Sequence, residues 1–398
     1  MKLTNRINSI PVAATGVMRT RAQELRAKGL NVINFSAGEL DFDTSDVIKE
    51  AAVKAIKDGK TNYTDALGLP LLRESIACSL TKRIGVHFSK EEIGVTAGAK
   101  QALFNAMLAI IETDDEVIIP VPYWVTFPAQ VLLAGGLPVY FDTMISEFQV
   151  IPTKLAAAIT SKTKAVIINS PNNPSGSVIS AENLTGILDL MRKHEFYLIF
   201  DECYASLDSE AHPHINPLTL APDLKHRIVV INSLSKAYAM TGWRVGYIAG
   251  SPTIIKAVGK LQGHSTSNVC TVSQHAAIAA FTEDNSIFTK RVKDAILSRR
   301  FLVVAALNQI QEISFVEPKG AFYVLLCLKQ LINRNYRGCV LKSVDEVVEK
   351  ILVDQHVALV PGSAFGAPEY ARLSYALGEK DILEGVKRIG LFARECSW

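Results

Sequence analysis

Short apolar runs alternate with longer amphipathic stretches from about Ser45 onward. EVIIPV, KAVIINS, FYLIFDE, RIVVINS and RVGYIAG are each rich in Val, Ile or aromatic side chains and show no regular polar alternation. That pattern predicts strands covered on both faces. Between them the period changes. Leu184, Ile187, Leu188 and Met191 recur at helical spacing over 181–194, and Leu103, Met107, Ile110 and Ile111 mark another helix opening at Gly98. Strands alternating with helices predict an α/β fold with a mostly parallel sheet.

The last hundred residues follow another order. A long charged helix is expected over 286–310. After it come a strand at GAFYVLL, a helix, a short strand at VALVPG, another at ARLSYA and a final helix. A chain of 398 residues is long for a single core. The expected division is a large domain over 46–290 and a smaller α+β domain made of 1–45 with 291–398.

Composition excludes several function classes. Hydrophobic residues at 48% and charged residues at 20% describe an ordinary globular chain. The 42 basic side chains nearly balance the 39 acidic ones, so neither a nucleic-acid nor a membrane partner is expected. MKLTNRINSIPVAATG lacks the apolar core of a secretory signal. The most apolar region, 117–141, is broken by Pro120, Pro122, Pro128 and Pro138, which rules it out as a membrane helix. A cytoplasmic protein is expected. None of the six cysteines forms a CxxC pair or a Cys/His cluster of zinc spacing. They read as reduced and mostly packing residues, with no metal site.

In open α/β sheets, ligands bind beyond the carboxyl ends of the strands. Here those ends carry a short polar set. Asn172 and Asn173 follow KAVIINS; Asp201, Glu202 and Tyr204 follow FYLIF; Ser233, Ser235 and Lys236 follow RIVVIN. EIGVT leads to Gly98, Ala99 and Lys100 at a helix start, where backbone N–H groups form an anion site or an ordinary strand–helix turn. Arg244 and Ser235 are candidates to reach the same anion. Lys236 is either a desolvated nucleophile or a surface cation. Asp201 is either a buried carboxylate with a cationic partner or a helix cap. Trp124 is a stacking platform or core; Arg372 is an anion ligand or a rim ion pair. No GxGxxG or GxxxxGK[ST] loop is present, which argues against a dehydrogenase or an ATP site of those types. Together, an anion cradle, a lysine, a carboxylate, a tyrosine and an arginine describe a pyridoxal phosphate enzyme.

SAGELDFDT, GKTNYTDALGLPLLRESIA, VTAGAKQALFNAM, VPYWVTFPAQV, NSPNNPSG, DECYASL, SLSKAYAMTGWRVGY, GAFYVLL, VPGSAFG and ARLSYA occur in this order. In combination they resemble the fold-type I aminotransferases, most closely the bacterial aspartate aminotransferase branch, over nearly the whole chain. The resemblance implies a seven-stranded-type sheet flanked by helices, pyridoxal 5'-phosphate as cofactor, and amino acid and 2-oxo acid substrates. Lys236 would hold the cofactor as an internal aldimine and move the substrate's α-proton. Asp201 would pair with the pyridine nitrogen, Asn173 and Tyr204 would bond the phenolic oxygen, and Trp124 would stack on the ring. The Gly98, Ala99 and Lys100 backbone, Ser233, Ser235 and Arg244 would hold the phosphate. Arg372 would clamp the substrate α-carboxylate, with Asn173, Gly38 and Trp124 nearby. Lys100 would receive a distal carboxylate, and Thr15 is a retained substrate contact. Tyr63 would reach the neighbouring subunit's phosphate, making a homodimer part of the site. Cis bonds are expected before Pro122 and Pro174.

The implied reaction moves an amino group, with L-aspartate and 2-oxoglutarate as the expected pair, by a ping-pong course. Transamination of prephenate or aromatic 2-oxo acids, and a lyase or synthase reaction on the same fold, remain alternatives. The chain departs from the family at Leu40, usually proline, at Ala99, often glycine, and at Ala13, sometimes serine; these bear on substrate preference. A non-catalytic transcription regulator would need an added N-terminal DNA-binding module, and the match begins almost at Met1.

Overall fold

The computed structural model describes residues 3–11 and 14–397; Ala13 lies outside them. Seven strands form the central sheet: β1 (Ile93–Thr96), β2 (Glu116–Val121), β3 (Leu137–Asp142), β4 (Thr163–Asn169), β5 (Tyr197–Asp201), β6 (Ile228–Ser233) and β7 (Gly246–Ala249). Their order is β1-β7-β6-β5-β4-β2-β3. β7 runs antiparallel to both neighbours and the other pairings are parallel. The mostly parallel sheet read from the apolar runs is therefore present. β3 has no counterpart among those runs. It carries Pro138 and lies on the sheet edge, where a missing N–H costs no ladder bond.

Both faces of this sheet are covered. The principal helices are α1 (Ala14–Ala27), α2 (Asp46–Lys57), α3 (Pro70–Ile84), α4 (Ala99–Ile110), α5 (Ala181–Lys193), α6 (Pro252–Ser265), α7 (Thr271–Thr282), α8 (Ser286–Leu307), α9 (Val344–Gln355) and α10 (Glu379–Glu395). Ile119, Ile167, Ile199, Val229 and Ile231 pack with α4 and α6. Their alternates Ile118, Val166, Ile168, Leu198, Phe200 and Val230 pack with α2, α3, α5 and α7. Because successive strand residues face opposite ways, both parities must be apolar, which explains the unbroken runs. Each such side chain contributes about 1.5–3 kcal/mol by burial. In α5 the helical stripe expected from Leu184, Ile187, Leu188 and Met191 is buried, and the Ser180 side chain caps the helix by accepting from Asn183 N–H.

A second sheet of four short strands lies in the carboxyl-terminal part: β8 (Ser314–Phe315), β9 (Tyr323–Cys327), β10 (Val360–Pro361) and β11 (Tyr370–Ser374), in the antiparallel order β10-β11-β9-β8. VALVPG does not form one strand. Val357–Ala358 pairs in parallel with Ile33–Asn34, and only Val360–Pro361 joins β11. One core gathers Met18, Val32, Ile33 and Phe35 with Val303, Tyr323, Ile351, Leu373 and Ile389. The beginning and end of the chain thus share their burial.

The peptide bonds before Pro122 and Pro174 are cis, as expected, and so is the one before Pro171. All six cysteines are unpaired, but Cys78, Cys270 and Cys339 are exposed, which corrects the packing role expected for most of them. No helix among the described residues is long and apolar enough to cross a membrane.

Candidate active site

The carboxyl ends of β4, β5 and β6 open into a cavity of about 560 Å³, closed on its far side by Ser36 to Glu39, Tyr323 and Arg372. Of the candidate site residues singled out in the sequence, all but Gly98, Tyr63, Asn172 and Glu202 line it. Gly98 sits at its wall as the cap of α4, with φ +79°. Tyr63 lies elsewhere, on the surface at 89% exposure.

Lys236 follows β6 on a four-residue helical turn, Leu234–Ala237. Its ammonium donates to the Gly38 carbonyl and stands 5.4 Å from the Phe322 ring centre. Burial pulls its pKa down to about 8, assisted by the charges of Arg372 and Arg244. A fraction of the amine is therefore unprotonated near neutral pH. Such an amine is chemically able to act as nucleophile or base, and it is not the solvated surface cation the sequence also allowed.

Asp201 ends β5 and is buried. Burial pushes its carboxyl up to about 6, against the Cys203 N–H, which donates to it over 3.1 Å. It has no ion-pair partner among the described residues and caps no α-helix. A buried carboxylate in that state calls for a cation from a ligand. Asn169 ties this end together: its Nδ2 donates to the Asp201 carbonyl at 3.1 Å, and its Oδ1 accepts from Asn173 N–H at 2.8 Å.

Arg372 stands on β11 and is 2% exposed. Its Nη1 donates to Asn173 Oδ1 and its Nη2 to the Ser36 carbonyl, each over 2.9 Å. Among the described residues its buried Nε has no hydrogen-bond partner and no carboxylate pairs with it. The guanidinium is held over the Tyr323 ring at 4.5 Å. Burial lowers its pKa from the ordinary arginine value. A buried arginine with an open donor, held in one rotamer, is prepared for an incoming carboxylate.

The anion cradle lies between α4 and the turn before β7. The first N–H groups of α4 have no intrahelical acceptor. Arg244 donates to the Thr241 and Ala97 carbonyls and approaches Gly98 closely. A Cβ on Gly98 would lie 2.4 Å from its Nη2, and one on Gly246 would lie 2.6 Å from Ala99 N. Ser233 and Ser235 border the same space. Backbone N–H groups, two hydroxyls and the Arg244 guanidinium meet here, the donor set of a phosphate site.

Tyr204 and Tyr323 join hydroxyls at 3.0 Å, and burial raises both pKa values. Lys100 holds its ammonium 5.0 Å from the Trp124 ring centre; burial and then Arg244 lower its pKa. Neither Lys100 nor Arg244 has an ion pair among the described residues. Sequence reasoning missed Asn169, Tyr323, Cys203, Glu39 and Arg19, which also line the cavity. Asn169 carried a usable signal, as a polar residue ending an apolar run. Glu39 and Arg19 carried none, since tertiary contact alone brings them there.

The family model for aminotransferase class I and II matches residues 31–389. The chain belongs to the class I and II aminotransferases. It is 41% identical over 393 residues to the aspartate aminotransferase of Geobacillus stearothermophilus, covering 98% of this chain and 99% of that one. It is 42% identical to the aspartate/prephenate aminotransferase of Nitrosomonas europaea, with the same coverages. The crystal structure of the Rhizobium meliloti aspartate aminotransferase superposes with a TM-score of 0.95, at 38% identity and full coverage of both chains. The Thermus thermophilus aspartate aminotransferase with maleate gives 0.92, at 37% identity, covering 99% of this chain and 100% of that one. This aminotransferase is thus an enzyme, with the α/β fold expected from its sequence.

Proposed function

We propose that this aminotransferase uses pyridoxal 5'-phosphate to move the amino group of L-aspartate to 2-oxoglutarate, in two half-reactions at one site. The observation that carries the proposal is a pair of basic side chains in one cavity, Lys236 partly buried and Arg372 buried, neither with a carboxylate partner among the described residues. The bound cofactor supplies an aldehyde that condenses with amines and a ring that takes up the electron pair left at the α-carbon. Lys236 would hold the cofactor and would serve as the base for the proton on the substrate α-carbon. Asp201 holds a proton on the ring nitrogen. Asn173 and Tyr204 hold the ring's oxygen, and Trp124 covers its face. Ser233, Ser235, Arg244 and the N–H groups opening α4 hold the phosphate. Arg372 clamps the α-carboxylate, with Gly38 and Thr15 at the rim. Lys100 takes the distal carboxylate, in keeping with its place beside Trp124 and with the maleate bound by the Thermus relative.

A second acceptor, prephenate, is favoured by one observation: the Lys100 ammonium has a ring contact with Trp124 and no ion pair among the described residues, which leaves it room to turn toward a larger acid. The proposed assembly is a homodimer in which Tyr63 reaches the neighbouring phosphate, with a large domain over 46–290 and a small one made of 1–45 with 291–398.

The test is a single half-reaction. Cofactor-loaded enzyme without any 2-oxo acid is mixed with L-aspartate, L-glutamate, L-phenylalanine or L-alanine, and released 2-oxo acid is counted. One equivalent per site from the acidic amino acids, and slow release from alanine, supports the proposal. Continuous turnover without an acceptor would move the enzyme to the lyases.

A further inference from the structure

Behind the active site lies a polar cluster with no part in the chemistry above. Strand parity places Asp201 and Ser233 toward the face of α4, and Glu202 and Asn232 toward the opposite face. Glu202 is wholly buried and accepts from both sides. Its Oε1 takes Arg83 Nη2 and, at 3.0 Å, Asn232 Nδ2. Its Oε2 takes His214 Nε2 at 2.9 Å, Asn216 Nδ2 at 2.9 Å and Arg83 Nη1 at 3.1 Å. Burial alone would raise its pKa, but Arg83 and His214 outweigh that and hold it far below the usual carboxylate range. Asn232 passes the constraint forward: its Oδ1 accepts from Ser233 N–H at 2.7 Å. Glu202 N–H also donates to the Ile231 carbonyl at 3.0 Å, so the ends of β5 and β6 are pinned together. A second cavity of about 430 Å³ borders this cluster, and Cys203 and Ser233 form the wall between it and the active site.

A buried carboxylate with so many donors is costly to assemble and fixes geometry rather than adding stability. We infer that Glu202 and Asn232 are positioning residues for the phosphate cradle, setting the Ser233 backbone from the rear face of the sheet. The inference rests on the cofactor reading above. Removing the link loosens the cradle without touching the cation that clamps the substrate.

The experiment compares the parent with Asn232→Leu, Glu202→Gln and the double variant. Three quantities are measured: inorganic phosphate affinity of the cofactor-free protein, cofactor dissociation constant, and amino acid KM of the saturated enzyme. Asn232→Leu is expected to weaken phosphate and cofactor binding about five- to tenfold, the size of one ordinary lost hydrogen bond. KM and the thermal midpoint of the cofactor-free protein stay near the parent's. The double variant is expected to fall short of the product of the two single effects, because one link is being cut twice. If Glu202→Gln fails to fold, Asn232→Leu alone decides. Phosphate and cofactor affinities within twofold of the parent's overturn the inference, as does a rise in KM matching the loss of affinity. A parent that binds neither phosphate nor cofactor overturns the proposed function and this inference with it.

Discussion

At the scale of single residues, the site is defined by charges that the fold buries without compensating them. Asp201 binds its proton more tightly folded, at about 6, than at the ordinary 3.8 of an unfolded chain. The stability this supplies is complete below 3.8 and is lost as pH rises through about 6. In the cofactor-free enzyme Asp201→Asn should therefore gain on the parent between pH 4 and pH 7, by on the order of 3 kcal/mol. Urea unfolding at the two pH values checks this; a constant difference would contradict it. Arg372 presents the same trade between stability and function. Arg372→Leu should raise KM for L-aspartate about a hundredfold, through the loss of a bidentate charged contact. The ligand-free protein should be no less stable, since a desolvated cation has been removed.

At the scale of elements, the cradle depends on how closely α4 meets the turn carrying Arg244. Gly98 adopts φ +79°, and a methyl group there would collide with the Arg244 guanidinium. Gly98→Ala should cost roughly 1–2 kcal/mol of stability from the left-handed backbone. It should also displace Arg244, lowering cofactor affinity more than it raises substrate KM. Equilibrium dialysis and thermal melting of the same variant separate the two effects. Ala99, by contrast, follows the glycine with helical backbone, so its departure from the family leaves the cradle's N–H groups in place.

For the whole molecule, the position of Tyr63 is decisive. Tyr63 is 89% exposed on a loop and does not line the cavity of its own chain. If it completes a neighbour's cradle, the enzyme sediments as a dimer. Tyr63→Phe then weakens the cofactor, and mixing it with inactive Lys236→Ala regenerates native sites in the hybrid. Activity of the mixture equal to the mean of the separate variants would exclude the shared site.

The parallel sheet, the helices around it and the polar residues at the ends of β4, β5 and β6 were legible from local pattern. Side-chain period and strand-end position are properties of a short segment, and local sterics set them. Motif order added the family, and with it the roles expected of Lys236, Asp201 and Arg372. Tertiary structure decided what depends on distant segments meeting. It joined residues 18–40 with the carboxyl-terminal strands, and split VALVPG between two pairings. It brought Arg372 of the second sheet into one cavity with Lys236, and surrounded Glu202, behind Asp201, with Arg83, His214 and Asn216. Burial and unpaired charge belong to the assembled surroundings of a residue, and no stretch of sequence carries them by itself.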